Sequence, residues 1–174
     1  MRLRIITAYR PCRSDGTKTV YKQHKSYLNK HNDDRCPRTA VTEDLCQALS
    51  TWMSQGDQLV VLADANEDIR NGSFTTELKR IGLVEVITHR HGPDAPATFA
   101  AGSVPIDGIW VTTSLLDQRC GYLGYGDGVP NDGHILPWLD VPNPLAFGHS
   151  IPGPVRPPAR RLKTKLPRVA DAYR

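Results

Sequence analysis

An α/β (α+β) layered domain is the fold class that this sequence predicts, on three observations. Short apolar runs at residues 3–8, 58–63 and 104–112 have the length and β-branched content of strands. Between the first two lies an apolar stripe at 3.6-residue spacing, Val41, Leu45, Ala48, Leu49, Trp52 and Met53, which predicts a helix over 39–54. Helical and extended segments then alternate along the chain, the pattern of mixed layered folds. A length of 174 residues with 39% hydrophobic content suits one domain with a buried core.

The elements follow in order. The first strand, 3–8, is ended by Tyr9-Arg10-Pro11, because proline holds the residue before it in extended geometry. Residues 20–30 read as a short helix with Tyr21, His24 and Leu28 on one side. The helix at 39–54 carries Glu43 and Asp44 early, where acids favour the helix dipole, and Gly56 stops it. Ser73 reads as the cap of a helix at 74–81, and residues 83–88 read as a strand. After a polar loop at 89–97 come an extended Thr98-Phe99, a strand at 104–112 and a glycine-rich loop at 113–133. The last strand, 134–141, contains Pro137 and is expected at a sheet edge. Residues 142–158 hold six prolines and read as a linker, and 159–174 as a basic tail. Residues 1–141 are therefore the expected domain.

No apolar stretch approaches the roughly 20 residues of a membrane-spanning helix. The start of the chain is too short and too charged for a signal peptide, so an intracellular setting is expected, nucleus and cytoplasm left open. Cys12, Cys36, Cys46 and Cys120 show no C-x-x-C spacing, which argues against zinc and for free thiols. Net charge is +4 and unevenly spread. Residues 1–38 carry ten Lys or Arg against three Asp, and residues 155–174 carry seven against one. Basic flanks around an acidic centre suit a polyanion gripped at its edges, or a solvated surface with a basic tail.

The acidic centre contains the strongest local signal. The apolar run Leu59-Val60-Val61-Leu62-Ala63 ends in Asp64-Ala65-Asn66. Continued as extended backbone, Asp64 and Asn66 point the same way, placing a carboxylate beside a carboxamide at a strand end. These are hard oxygen ligands of the kind that Mg²⁺ or Mn²⁺ selects. An Asx turn that merely ends the strand explains the same letters. Tyr9, Asp107 and His134 are further polar residues at or near strand ends. Each has a plainer explanation alone: packing for Tyr9, turn formation beside Gly108 for Asp107, an ordinary histidine for His134.

Four strings in this order, IITAYRP (5–11), VVLADANED (60–68), PIDGIWV (105–111) and GVPNDGHILPWLDV (128–141), resemble the endonuclease/exonuclease/phosphatase superfamily. The likeness is greatest to nuclease regions of reverse-transcriptase-associated mobile-element proteins. The resemblance implies the later part of a four-layer α/β sandwich with two packed mixed β-sheets. It implies Mg²⁺-dependent (or Mn²⁺-dependent) phosphodiester hydrolysis, acting on DNA rather than RNA, with no membrane partner. Asp64 would orient the attacking water, Asn66 and Tyr9 would hold the phosphate, and Asp107 would orient His134, which would stabilise charge on the phosphoryl oxygen. Asp64, Asn66 and Asp132 are the expected metal residues. The pattern departs in two places. The family's earlier strands, with their metal-binding Glu, have no counterpart here; a second polypeptide or self-association would then cover the sheet. The family's S-D-H reads Asp132-Gly133-His134. The alternatives are therefore an inactive remnant that binds nucleic acid through its basic flanks, and a phosphatase of the same superfamily.

Overall fold

The computed structural model describes residues 2–125 and 133–148. The chain divides after Pro142. Beyond that point the described part is one short helix, α5 (Asn143–Phe147). The 155–174 tail and Asp132 lie outside the described residues.

Up to Pro142 the order is β1 (Leu3–Tyr9), α1 (Val20–Lys30), α2 (Pro37–Ser54), β2 (Gln58–Asp64), α3 (Ser73–Arg80), β3 (Val84–Glu85), α4 (Val86–His91), β4 (Asp107–Val111), β5 (Cys120–Leu123) and β6 (Leu136–Leu139). This is the expected α+β class. Four strands form a mixed sheet in the order β1-β2-β4-β3, with β1 parallel to β2 and β4 antiparallel to both β2 and β3. β5 and β6 form a separate antiparallel pair that packs on β4 and α4.

Alternation along β2 sets which face is buried. Leu59, Val61 and Ala63 join Trp110 of β4 on the side covered by α2 and α3, against Cys46, Leu49, Phe74 and Leu78. Trp110 meets Phe74 edge to face at 5.2 Å. Gly108 makes room for that ring, since a Cβ there would lie 2.9 Å from Trp110. Glycine beside Asp107 thus serves packing inside a strand rather than a turn. The opposite side of the sheet is open over β1, where Ile5 is 66% exposed.

Four local expectations are corrected. Helix α2 begins at Pro37, so Glu43 and Asp44 fall beyond its first turn and pair instead with Arg35 at 3.0 and 2.8 Å. Ser73 does not cap α3; Gly72 is the N-cap, and the Glu67 carboxylate accepts the Phe74 N–H. The expected strand at 83–88 is only Val84–Glu85 before α4 begins. The buried Glu85 carboxylate accepts the N–H groups of Ile87 and Thr88 and so starts a helix in a β-branched stretch. Strand β5 falls inside the expected loop at 113–133, and β6, carrying Pro137, pairs with β5 alone among the described residues.

Asp57 ties β1 to the turn before β2. Its buried carboxylate accepts from Arg4 and from Arg2, the latter at 3.2 Å. The Arg4 guanidinium first, then Arg2, hold its carboxyl below the ordinary range. A depressed carboxyl stabilises the fold above its unfolded value of about 3.9 and loses that contribution as pH falls through the folded value. Asp57→Asn should therefore unfold at lower urea than the wild type at neutral pH, and the gap should narrow steadily as the comparison is repeated below that value.

Candidate functional site

Sheet register builds the site. Tyr9 is the Cα partner of Asp64 across β1 and β2, and Asp64 is the partner of Asp107 across β2 and β4. Directly paired residues project to the same side of a sheet, so the three stand in one row at its end. This is the side away from the α2–α3 core. His134 joins from the segment leading into β6, and its Nδ1 lies 2.8 Å from Asp107 Oδ2. Asp64, Asp107 and His134 each bring a ligand atom within 4.8 Å of the others.

The environment of Asp64 explains its charge state. Burial pushes its carboxyl up, the Asn66 N–H opposes that, and the neighbouring Asp107 carboxylate adds to it. Asp64 Oδ1 accepts the Asn66 N–H at 3.0 Å, which is an Asx turn. The two readings of Asp64 are thus compatible: one oxygen ends the strand, and the carboxylate still faces Asp107 and His134.

Asn66 does not continue the extended backbone. Its φ is +48°, a left-handed conformation that asparagine tolerates better than most residues. The premise that Asp64 and Asn66 point the same way is corrected accordingly. The Asn66 side-chain amide donates to Arg10 O at 2.8 Å, and its side-chain oxygen Oδ1 has no partner among the described residues. Tyr9 is 49% exposed, and its hydroxyl makes no hydrogen bond among the described residues. Asp132, expected as a metal residue, lies outside them.

Three supports were not visible in the sequence. The first is a buried ion-pair network under the 64–67 loop. Arg10, 6% exposed, places Nη1 2.5 Å from Glu67 Oε2 and Nη2 2.9 Å from Ser73 Oγ. Arg38 donates to Pro11 O at 2.9 Å, Asn66 O at 3.2 Å and Glu67 Oε2 at 3.3 Å. Burial lowers the Arg10 guanidinium from its ordinary value, and the Glu67 contact works against that. The only hint in the sequence is position: Arg10 follows Tyr9, and Glu67 follows Asn66.

The second support is Thr98-Phe99. Fully buried Thr98 accepts the N–H groups of Ile106 and Asp107 on its Oγ1 at 2.8 and 3.0 Å. Phe99 forms a β-bridge with His134, and their rings lie 4.9 Å apart. One short segment therefore fixes both Asp107 and His134. The third is Tyr122 of β5, whose enclosed hydroxyl has no hydrogen-bond partner among the described residues. Burial first, then the Glu85 and Asp107 charges, push its pKa up and keep the phenol protonated.

The donor set fits a divalent cation. Two carboxylates face each other across neighbouring strands, and an imidazole stands beside them. Carboxylate oxygens suit Mg²⁺ and Mn²⁺, while imidazole widens the choice among transition metals. No protein-family model matches the chain, and no curated protein matches it.

Two substitutions test how this frame is held. Glu67→Gln removes the carboxylate that faces two guanidinium groups, and breaking a buried pair from one side costs about 3–5 kcal/mol; a fall of that size should appear in chemical denaturation. Gly133 has φ +92°, and a Cβ there would lie 3.0 Å from the Phe99 ring. Gly133→Ala should cost about 1–3 kcal/mol, with adding Phe99→Leu recovering only the steric part.

Proposed function

We propose that this chain carries a divalent-metal-dependent phosphodiesterase site and acts on DNA as an endonuclease of the endonuclease/exonuclease/phosphatase type, related to mobile-element nucleases. One observation carries the reading. Asp64, Asp107 and His134, from three separate stretches, converge with ligand atoms within 4.8 Å at one sheet end, in the row that begins with Tyr9. The four ordered sequence strings support it independently.

Asp64 and Asp107 would hold the cation, which when bound supplies positive charge and Lewis acidity toward a phosphoryl oxygen. The Asn66 N–H occupies Asp64 Oδ1 and leaves the second oxygen to orient the attacking water and accept its proton. Asp107 Oδ2 accepts from Nδ1 of His134, which fixes the ring and presents Nε2 to the phosphate. There the imidazole would donate an N–H to the oxygen on which charge grows, the step where a fixed donor contributes most. Tyr9, half exposed beside Asp64, offers its hydroxyl to a non-bridging oxygen. Asn66 would hold the loop beside the site through Arg10 O.

A phosphodiester is an anion that repels nucleophiles, so removal of either charge-handling group should be severe. With Mg²⁺ or Mn²⁺, purified chain should nick supercoiled plasmid, and EDTA should stop it. Asp64→Ala and His134→Ala should each lower the rate by about 100-fold or more. The same metals should raise the melting temperature of the wild type but not of Asp64→Ala. Retention of DNA with no nicking and no metal-induced shift would assign the chain to binding without turnover.

A further inference from the structure

Ten Lys and Arg lie within residues 1–38, but the fold engages most of them internally. Arg2 and Arg4 are held by Asp57, Arg10 and Arg38 by Glu67, Arg13 by Tyr21 and Cys36, and Arg35 by Asp33, Glu43 and Asp44. Lys25 donates to the carbonyls of Asp34 and Arg35 at 3.2 Å. What remains is concentrated on α1 and the turn before it. Lys18 and Lys30 are exposed, with no side-chain partner among the described residues. Lys22 meets only Asp15, at 3.5 Å and fully exposed, a pairing that contributes little in water.

On a helix of 3.6 residues per turn, Lys22, Ser26, Asn29 and Lys30 share one face, and they line a shallow groove together with Lys25. Tyr27 borders that face. It is 59% exposed and lies 4.2 Å from the His31 ring, an aromatic surface turned to solvent. Leu28 is the buried residue of α1. The groove also stands close to the site in the chain of contacts. Lys25 and Tyr21 of α1 hold the segment before α2, at Asp34, Arg35 and Cys36. Arg38, at the start of α2, holds the 64–67 loop.

We propose that the exposed face of α1 is the nucleic-acid-holding surface of this chain, with Lys18, Lys22 and Lys30 taking backbone phosphates and Tyr27 stacking on an unpaired base. The partner is thereby a single-stranded or locally opened nucleic acid. Charge alone serves any polyanion; a cationic row bordered by an exposed aromatic is what sequence-tolerant binding of single strands uses. This rests on the phosphodiesterase reading for its biological sense, but its test does not.

Full-length chain is titrated into labelled oligo-deoxythymidine, the same length of duplex, and anionic phosphatidylserine vesicles, over a series of salt concentrations. Lys18→Ala/Lys22→Ala/Lys30→Ala should weaken both DNA probes about tenfold or more at low salt, and should reduce the single-strand salt slope by roughly 2. Tyr27→Ala should weaken the single strand by about fivefold or more and leave the duplex unchanged. Tyr27→Phe, which keeps a stacking ring, should bind like the wild type. Wild-type DNA affinity in the triple variant would overturn the proposal and move binding to another surface. Vesicle binding tighter than either DNA would overturn it in favour of a membrane surface. Binding measured in EDTA separates the two readings, since the α1 surface should still hold DNA there while nicking is stopped. A wild type that never nicks, with binding lost in the α1 variants, leaves this surface standing and removes the phosphodiesterase.

Discussion

Everything at the candidate site depends on the register of β2. This central strand is parallel to β1 on one side and antiparallel to β4 on the other. Leu59, Val61 and Ala63 must face α2 and α3, so the next residue in the alternation, Asp64, must face the opposite way. Sliding the strand by one residue would expose those three side chains and push a carboxylate into the apolar layer. Burying Leu or Val contributes about 1.5–3 kcal/mol each, and an unpaired buried carboxylate costs several more. Both terms disfavour the slip. The same hydrophobic pattern that builds the core therefore also places Asp64 between Tyr9 and Asp107.

Past the strand end the backbone turns, and a different device takes over. The 64–67 loop is held by Arg10 and Arg38 against Glu67, while Glu67 also accepts the Phe74 N–H and the Ser73 hydroxyl at the start of α3. One carboxylate therefore joins the end of β1, the start of α2 and the start of α3 beside the site. A buried ion pair is a weak source of net stability compared with apolar packing of the same volume. Its effect here is positional. It makes the direction of the loop, and with it the left-handed Asn66, inseparable from the helices behind the sheet.

The parts of this fold that periodicity controls were legible in the sequence. β1, α1 and β2 fall within a residue of where alternation and 3.6-residue spacing place them, and α2 begins two residues early because Pro37 is a good first helical residue. What failed to show were features decided by individual side-chain bonds, close packing or a single backbone angle rather than by periodicity. Val86, Ile87 and Thr88 read as strand by propensity, and the Glu85 cap makes them helix. Cys120 to Leu123 carries no period, and Gly121 is where the Trp138 ring of β6 lies close. The row Tyr9, Asp64, Asp107 and His134 was legible as a set of strand-end polar residues. The direction of Asn66 was not, because a one-residue change to positive φ leaves no mark in composition. Thr98 was invisible for the same reason: nothing local says that its hydroxyl accepts two backbone N–H groups across the loop.

Gly133 shows how these levels combine. The superfamily pattern has an acid immediately before the histidine, and this chain has glycine there. Its φ of +92° and the nearby Phe99 ring put strain on any side chain there, so the local backbone disfavours an acid at that position. The bend accompanies the Phe99 bridge and the approach of His134 Nδ1 to Asp107. Asp107 thus orients the imidazole, and Asp107 is in turn fixed by Thr98. Asp107 couples two contacts, since it meets His134 and also faces Asp64 across the strand pair. Neutralising Asp107 would loosen the ring and remove half of the paired negative charge together, whereas losing Asp64 would leave the ring in place.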